Sequence, residues 1–132
     1  MIRVLILTGL IAAPLGACAV SHDLETVRNG DAIVFEDMRG GGHCLTQFSV
    51  QRERDDLIVW AVTKTDYLEP PCPNRFPLTY GVTPEGMTVE TPASPLEQGV
   101  VYRLRGWDRD FYSGAFRIDA DGQVEVLDFE PG

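Results

Sequence analysis

The chain has 132 residues, with eleven Lys and Arg against twenty Asp and Glu, for a formal charge of −9 at neutral pH. That balance argues against binding nucleic acid, lipopolysaccharide phosphates or an anionic membrane surface, and suits plain solubility or a cationic protein partner. The length allows one domain, and the acids are scattered along it rather than gathered into an interaction tail.

Chain order begins with Met1-Ile2-Arg3, an apolar run over residues 4–13, and then Leu15-Gly16-Ala17-Cys18. About ten apolar residues are too few to span a bilayer, which takes ~20, so the run reads as an export signal. The quartet ending in Cys18 resembles the lipobox of a bacterial lipoprotein signal peptide. The resemblance implies that residues 1–17 are removed and that Cys18 becomes an acylated N-terminus. Two or three acyl chains on it would make membrane attachment durable, since each buried CH₂ contributes ~0.8 kcal/mol. Members of that family kept in the inner membrane tend to carry Asp after the Cys. Ala19 stands there instead, which implies the outer membrane, facing the periplasm or outward. Ala17-Cys18-Ala19 also fits the small-x-small pattern of ordinary cleavage, which would release a soluble periplasmic or secreted protein.

Export bears on the remaining cysteines. With Cys18 lipidated or cut away, Cys44 and Cys72 are left, and two thiols in an oxidising compartment are expected to pair. Such a bridge closes a loop of about 28 residues and contributes roughly 3 to 4 kcal/mol on the chain-entropy model. A metal pair and a catalytic thiol are the competing roles. The chain offers no Cys-x-x-Cys for the first, and His43, beside Cys44, would point to the opposite face of a strand for the second.

Residues 20–31 are polar, contain Asn29-Gly30, and show no useful periodicity, so residues 18–31 read as a lipidated N-terminus and flexible tether, with a single domain over residues 32–132. From there the chain is a series of short β-like runs punctuated by Gly, Pro and Asp. Residues 32–36 form the first, followed by Gly40-Gly41-Gly42. In residues 44–51, Cys44, Thr46, Phe48 and Val50 alternate with Leu45, Gln47, Ser49 and Gln51, the period of a strand with one inner face. After a turn at Arg54-Asp55-Asp56, residues 57–63 are continuously apolar or β-branched around Trp60 and read as a central strand buried on both faces. Residues 67–77 hold four prolines and must be loop. Further runs occupy 78–82, 87–90 and 100–106, the last with Tyr102 and Leu104 facing one way and Arg103 and Arg105 the other. Residues 115–118 and 123–127 close the chain as a hairpin around Asp121-Gly122. No helical stripe appears anywhere.

Leu96, Gly99 and Tyr102, each three residues from the next, resemble the corner between two strands of fibronectin type III and related immunoglobulin-like domains, where the Tyr hydroxyl bonds back to upstream backbone. Gln98 replaces the usual Pro, and the similarity spans about ten residues. The resulting expectation is an all-β fold, a small antiparallel β-sandwich of about seven or eight strands, with a small closed β-barrel as the alternative.

Chemistry-bearing residues are sparse. Asp119-Ala120-Asp121-Gly122 has part of a calcium-loop pattern, but Arg117 falls on its first ligand position, so a hairpin turn is expected and neither metal nor cofactor is called for. Ser49, Ser94 and Ser113 lack a nucleophile-elbow context, and the acid pairs Glu36-Asp37 and Asp55-Asp56 sit in apparent turns, so no catalytic residue is assigned. The segment Trp107-Asp108-Arg109-Asp110-Phe111-Tyr112 reads as a loop between strands. Its Trp107, Arg109, Phe111 and Tyr112 are residue types used at interface hot spots, unless Trp107 and Phe111 fold back onto the core edge. The function expected is binding or structural support at the membrane by a non-enzyme. The alternatives are an inhibitor or accessory subunit of a cationic envelope enzyme and a hydrolase whose carboxylates converge only across strands.

Overall fold

In a computed structural model that describes residues 21–39, 44–65 and 74–128, the chain is all-β. β1 (Ser21–Asn29) occupies the segment expected to be a tether. His22, Leu24 and Thr26 turn inward while Ser21, Asp23 and Glu25 turn out, a period-2 pattern whose inner face has only one large apolar side chain. Hydrophobic periodicity is therefore faint, and pairing with two other strands sustains the strand instead. Its Asn29 pairs with Ala32 across a two-residue loop in which Gly30 takes φ +61°, a left-handed conformation that glycine adopts without steric cost. The hairpin continues into β2 (Ala32–Asp37).

The next strands are β3 (Gln47–Arg52), β4 (Leu57–Lys64), β5 (Leu78–Thr79), β6 (Met87–Thr91), β7 (Val101–Trp107), β8 (Phe111–Ile118) and β9 (Val124–Leu127). They form one curled sheet in the order β5-β2-β1-β8-β7-β3-β4-β6, with β9 also on β8. The free edge of β8 is divided: Phe111–Ser113 pairs in parallel with Ser21–Asp23 of β1, and Ala115–Ile118 pairs antiparallel with β9. Beyond Asp23, β1 leaves β8 and pairs with β2, so one strand serves both sides of the curl. The result is a half-barrel, intermediate between the sandwich and the barrel read from the sequence. Tyr80, just after β5, places its hydroxyl 2.6 Å from the Ser94 carbonyl and 3.2 Å from that of Val59 in β4, linking the β5 end of the sheet order to the strand next to its other end. Burial pushes its phenol up to about 12.

The inner face supplies a packed aromatic core. Phe35, Phe48, Trp60, Tyr102 and Phe116 are buried, with neighbouring ring centroids 5.3 to 5.8 Å apart in tilted, edge-on or stacked arrangements. In β7, Tyr102 and Leu104 face this core and Arg103 and Arg105 face outward, as their alternation dictates. The backbone N–H of Glu97 donates to the Tyr102 hydroxyl at 2.9 Å, the upstream bond that the Leu96–Tyr102 pattern anticipates.

Beyond β1, four strands differ from expectation. β4 is buried on both faces only from Val59 to Val62, while Leu57 and Ile58 are exposed. A bulge is the cause: Val50 pairs with Trp60 but Gln51 with Ile58, so Val59 is the extra residue and the side chains before it change face. β5 is two residues long because Gly81, at φ +78°, turns the chain. β7 and β8 extend into the anticipated 107–112 loop, leaving only residues 108–110 as turn. Cys44 precedes β3 and is half-buried, whereas Cys18, His43 and Cys72 lie outside the described residues.

Candidate functional site

Trp107 ends β7, Phe111 begins β8, and the two pair directly across the hairpin. The intervening turn is closely held. Asp108 accepts the Asp110 N–H on one carboxylate oxygen at 2.7 Å and the Tyr112 hydroxyl on the other at 2.9 Å, while its own N–H donates to the Asp110 carbonyl at 3.1 Å. The Trp107 carbonyl accepts the Thr46 N–H at 2.9 Å, and the indole N–H donates to Gln47 Oε1 at 3.0 Å. Backbone and ring are thus both fixed, yet Trp107 remains 44% exposed and Phe111 59% exposed. They do not fold back onto the core.

Beneath the turn, on the inner face, lies a polar cluster. His22 Nε2 is 2.9 Å from Asp110 Oδ2, and its Nδ1 is 3.2 Å from Asp37 Oδ2. The Asp37 side chain is wholly buried, and its other oxygen accepts the Arg39 N–H at 3.0 Å. The ring therefore lies between two carboxylates, one from β2 and one from the 108–110 turn. The imidazole ring lies against Tyr112 at 4.7 Å between centroids, and Phe76 covers Tyr112 from another side at 5.1 Å. Burial first, and Asp108 second, push the Tyr112 phenol above its ordinary range. Through Asp110 and Asp108, this cluster fastens the hairpin that carries Trp107 and Phe111.

The outer face is different in character. Gln47, Ser49 and Gln51 of β3 lie beside Arg105 and Trp107 of β7, which lie beside Phe111 and Ser113 of β8. Together they line a depression of about 580 Å³, within the ordinary range for ligand sites. Register places Arg105 directly between Ser49 and Ser113, one row from Trp107 and Phe111. Arg103 is engaged by Asp56, and Arg117 pairs with Glu125. The Arg105 guanidinium has no hydrogen bond or ion pair with any described residue.

Of the four residues singled out in the sequence, Trp107, Arg109 and Phe111 are exposed and close together. Tyr112 is only 2% exposed and its side chain faces inward, because alternation along β8 puts it on the opposite face from Phe111. The sequence reading missed His22, Asp37, Asp108 and Asp110, whose association depends on a β1–β8 pairing 88 residues apart. It also missed Arg105 as a site residue, although its outward direction was visible. Asp119 accepts the Asp121 and Gln123 N–H groups at 2.9 Å each, which makes the 119–123 segment a hairpin turn. Among the described residues no group of three or more His, Cys, Asp or Glu could hold a metal ion. Ser49 and Ser113 face outward and His22 inward, on opposite sides of the sheet, so they do not assemble into a nucleophile and base. No family description, curated protein or solved structure matches this chain.

Proposed function

We propose that the protein is a non-enzymatic binding module, tethered to the outer membrane through acyl chains on Cys18, that recognises its ligand with the outer-sheet depression around Trp107, Phe111 and Arg105. One observation carries this reading: two large aromatics stay exposed on a hairpin whose backbone, turn acids and indole are each separately fastened. Burial ordinarily contributes about 1.5 to 3 kcal/mol for a large apolar side chain, so side chains rigidly held away from it suit recognition. The anchor rests on the Leu15-Gly16-Ala17-Cys18 resemblance. A Cys44–Cys72 bridge belongs to the same exported state. It is supported by two hydrogen bonds between residues close in sequence to the two cysteines. The Leu45 N–H donates to the Asn74 carbonyl at 2.8 Å, and the Asn74 side-chain amide donates to the Leu45 carbonyl at 2.6 Å.

The test uses the full chain made in a Gram-negative host with its leader intact. Intact mass is expected to show acyl chains on Cys18, and immobilised protein is expected to retain an envelope component that Trp107→Ala/Phe111→Ala loses at least tenfold, with melting unchanged. Equal retention by the folded double variant rejects the site, and a free, unacylated N-terminus rejects the anchor.

A further inference from the structure

We infer that the outer-sheet depression is a site for a carboxylate-bearing saccharide, with a sugar ring laid on the Trp107–Phe111 pair and its carboxylate on the Arg105 guanidinium. The inference deepens the binding reading and rests on it. The ligand must first be one that a sheet face can hold. An extended peptide adds to a sheet edge through main-chain bonds. The β8 edge next to this site is occupied by β1 and β9, and the face presents side chains only. A pyranose ring, with an apolar C–H face and hydroxyls around its rim, matches two exposed aromatic side chains surrounded by amides and hydroxyls.

Charge selects among such rings. The chain carries −9 overall, which disfavours general anion binding, yet an unpaired cation lies in the depression between two serine hydroxyls. Neighbouring Arg103 is taken by Asp56, so Arg105 has its guanidinium free for a ligand. A guanidinium offers a planar pair of donors that fits a carboxylate in two-point contact, and such charge-assisted bonds are about twice as strong as neutral ones. Ser49 and Ser113 flank it as donors or acceptors for hydroxyls, and Gln47 is already fixed by its contacts to Trp107 and Glu90. An anionic lipid surface fits less well. It would meet an acidic protein with few basic side chains near the depression, whereas lipid attraction grows by roughly 1 kcal/mol per basic residue and needs a cluster.

Titration calorimetry of the folded protein with a tetramer of galacturonic acid, a neutral glucose tetramer and phosphatidylglycerol vesicles tests this. The acidic tetramer is expected to bind at least tenfold more tightly than the neutral one. Arg105→Gln should erase that preference, and Trp107→Ala should weaken the acidic tetramer about tenfold or more, both without loss of melting temperature. High salt should narrow the preference, because the pair is solvent-accessible. Equal binding of both tetramers overturns the inference, as does vesicle binding with the same dependence on Trp107. If neither tetramer binds, the saccharide is wrong. The broader site then still stands if envelope retention depends on Trp107 and Phe111, and falls if it does not.

Discussion

Tyr112 shows how one buried side chain can fix the candidate site from beneath. Its hydroxyl donates to Asp108, its ring packs between His22 and Phe76, and both contacts hold the turn between Trp107 and Phe111. Tyr112→Phe removes the donor to a carboxylate and is expected to cost roughly 1 to 3 kcal/mol at neutral pH. The pH dependence has a defined sign. Burial and Asp108 raise the folded phenol above the ordinary value, so the stabilisation is complete below about pH 10, where the unfolded tyrosine is also protonated. It declines as pH rises above that, because the unfolded chain releases the proton first. Tyr112→Phe should therefore lose less stability than the parent between about pH 9 and about pH 11. Tyr80, also raised, leaves some alkaline sensitivity in the variant. Chemical denaturation at several pH values measures this, and parallel curves for parent and variant would refute it.

At the scale of elements, legibility followed side-chain contrast. β7 was readable because Tyr102 and Leu104 alternate with Arg103 and Arg105, and the core could take only one of those faces. The β8–β9 hairpin was readable from Asp121-Gly122, and Gly122 does take φ +78°. β1 was not, since its inner face is His22, Leu24 and Thr26, a mixture no hydrophobic pattern separates from a polar linker. What makes β1 a strand lies elsewhere in the chain, and Gly114 is part of it. A Cβ there would stand 2.9 Å from the Leu24 carbonyl oxygen and 3.3 Å from its Cβ, so the missing side chain lets β1 approach β8. Gly114→Ala is expected to destabilise the protein by roughly 1 to 3 kcal/mol through forced displacement of β1. The displacement should show in hydrogen exchange as selective loss of protection in β1, and uniform protection with unchanged melting would contradict it.

Across the whole molecule, the site depends on pairings that close the largest sequence gaps. Trp107 and Phe111 could be picked out because aromatics beside a turn stand out in the sequence. Arg105 and its serines became a site only through the β3-β7-β8 register, and His22 joined Asp37 and Asp110 only through the curl of β1. At the end of the half-barrel carrying this cluster, Leu45 and Asn74 exchange hydrogen bonds and Phe76 packs on Tyr112. A Cys44–Cys72 bridge would hold both chain segments at that end, so its removal should act on the site as well as on stability. Cys44→Ala/Cys72→Ala is expected to lower stability by roughly 2 to 5 kcal/mol, the range typical of disulfides in small secreted domains. It should also speed hydrogen exchange at Leu45 and in the 108–110 turn before other regions. Reductant should shift the melting of the parent and leave the variant unchanged. If the parent melts identically with and without reductant and both thiols react with alkylating agent in the native state, the bridge is absent, and the Leu45–Asn74 hydrogen bonds alone fasten that end.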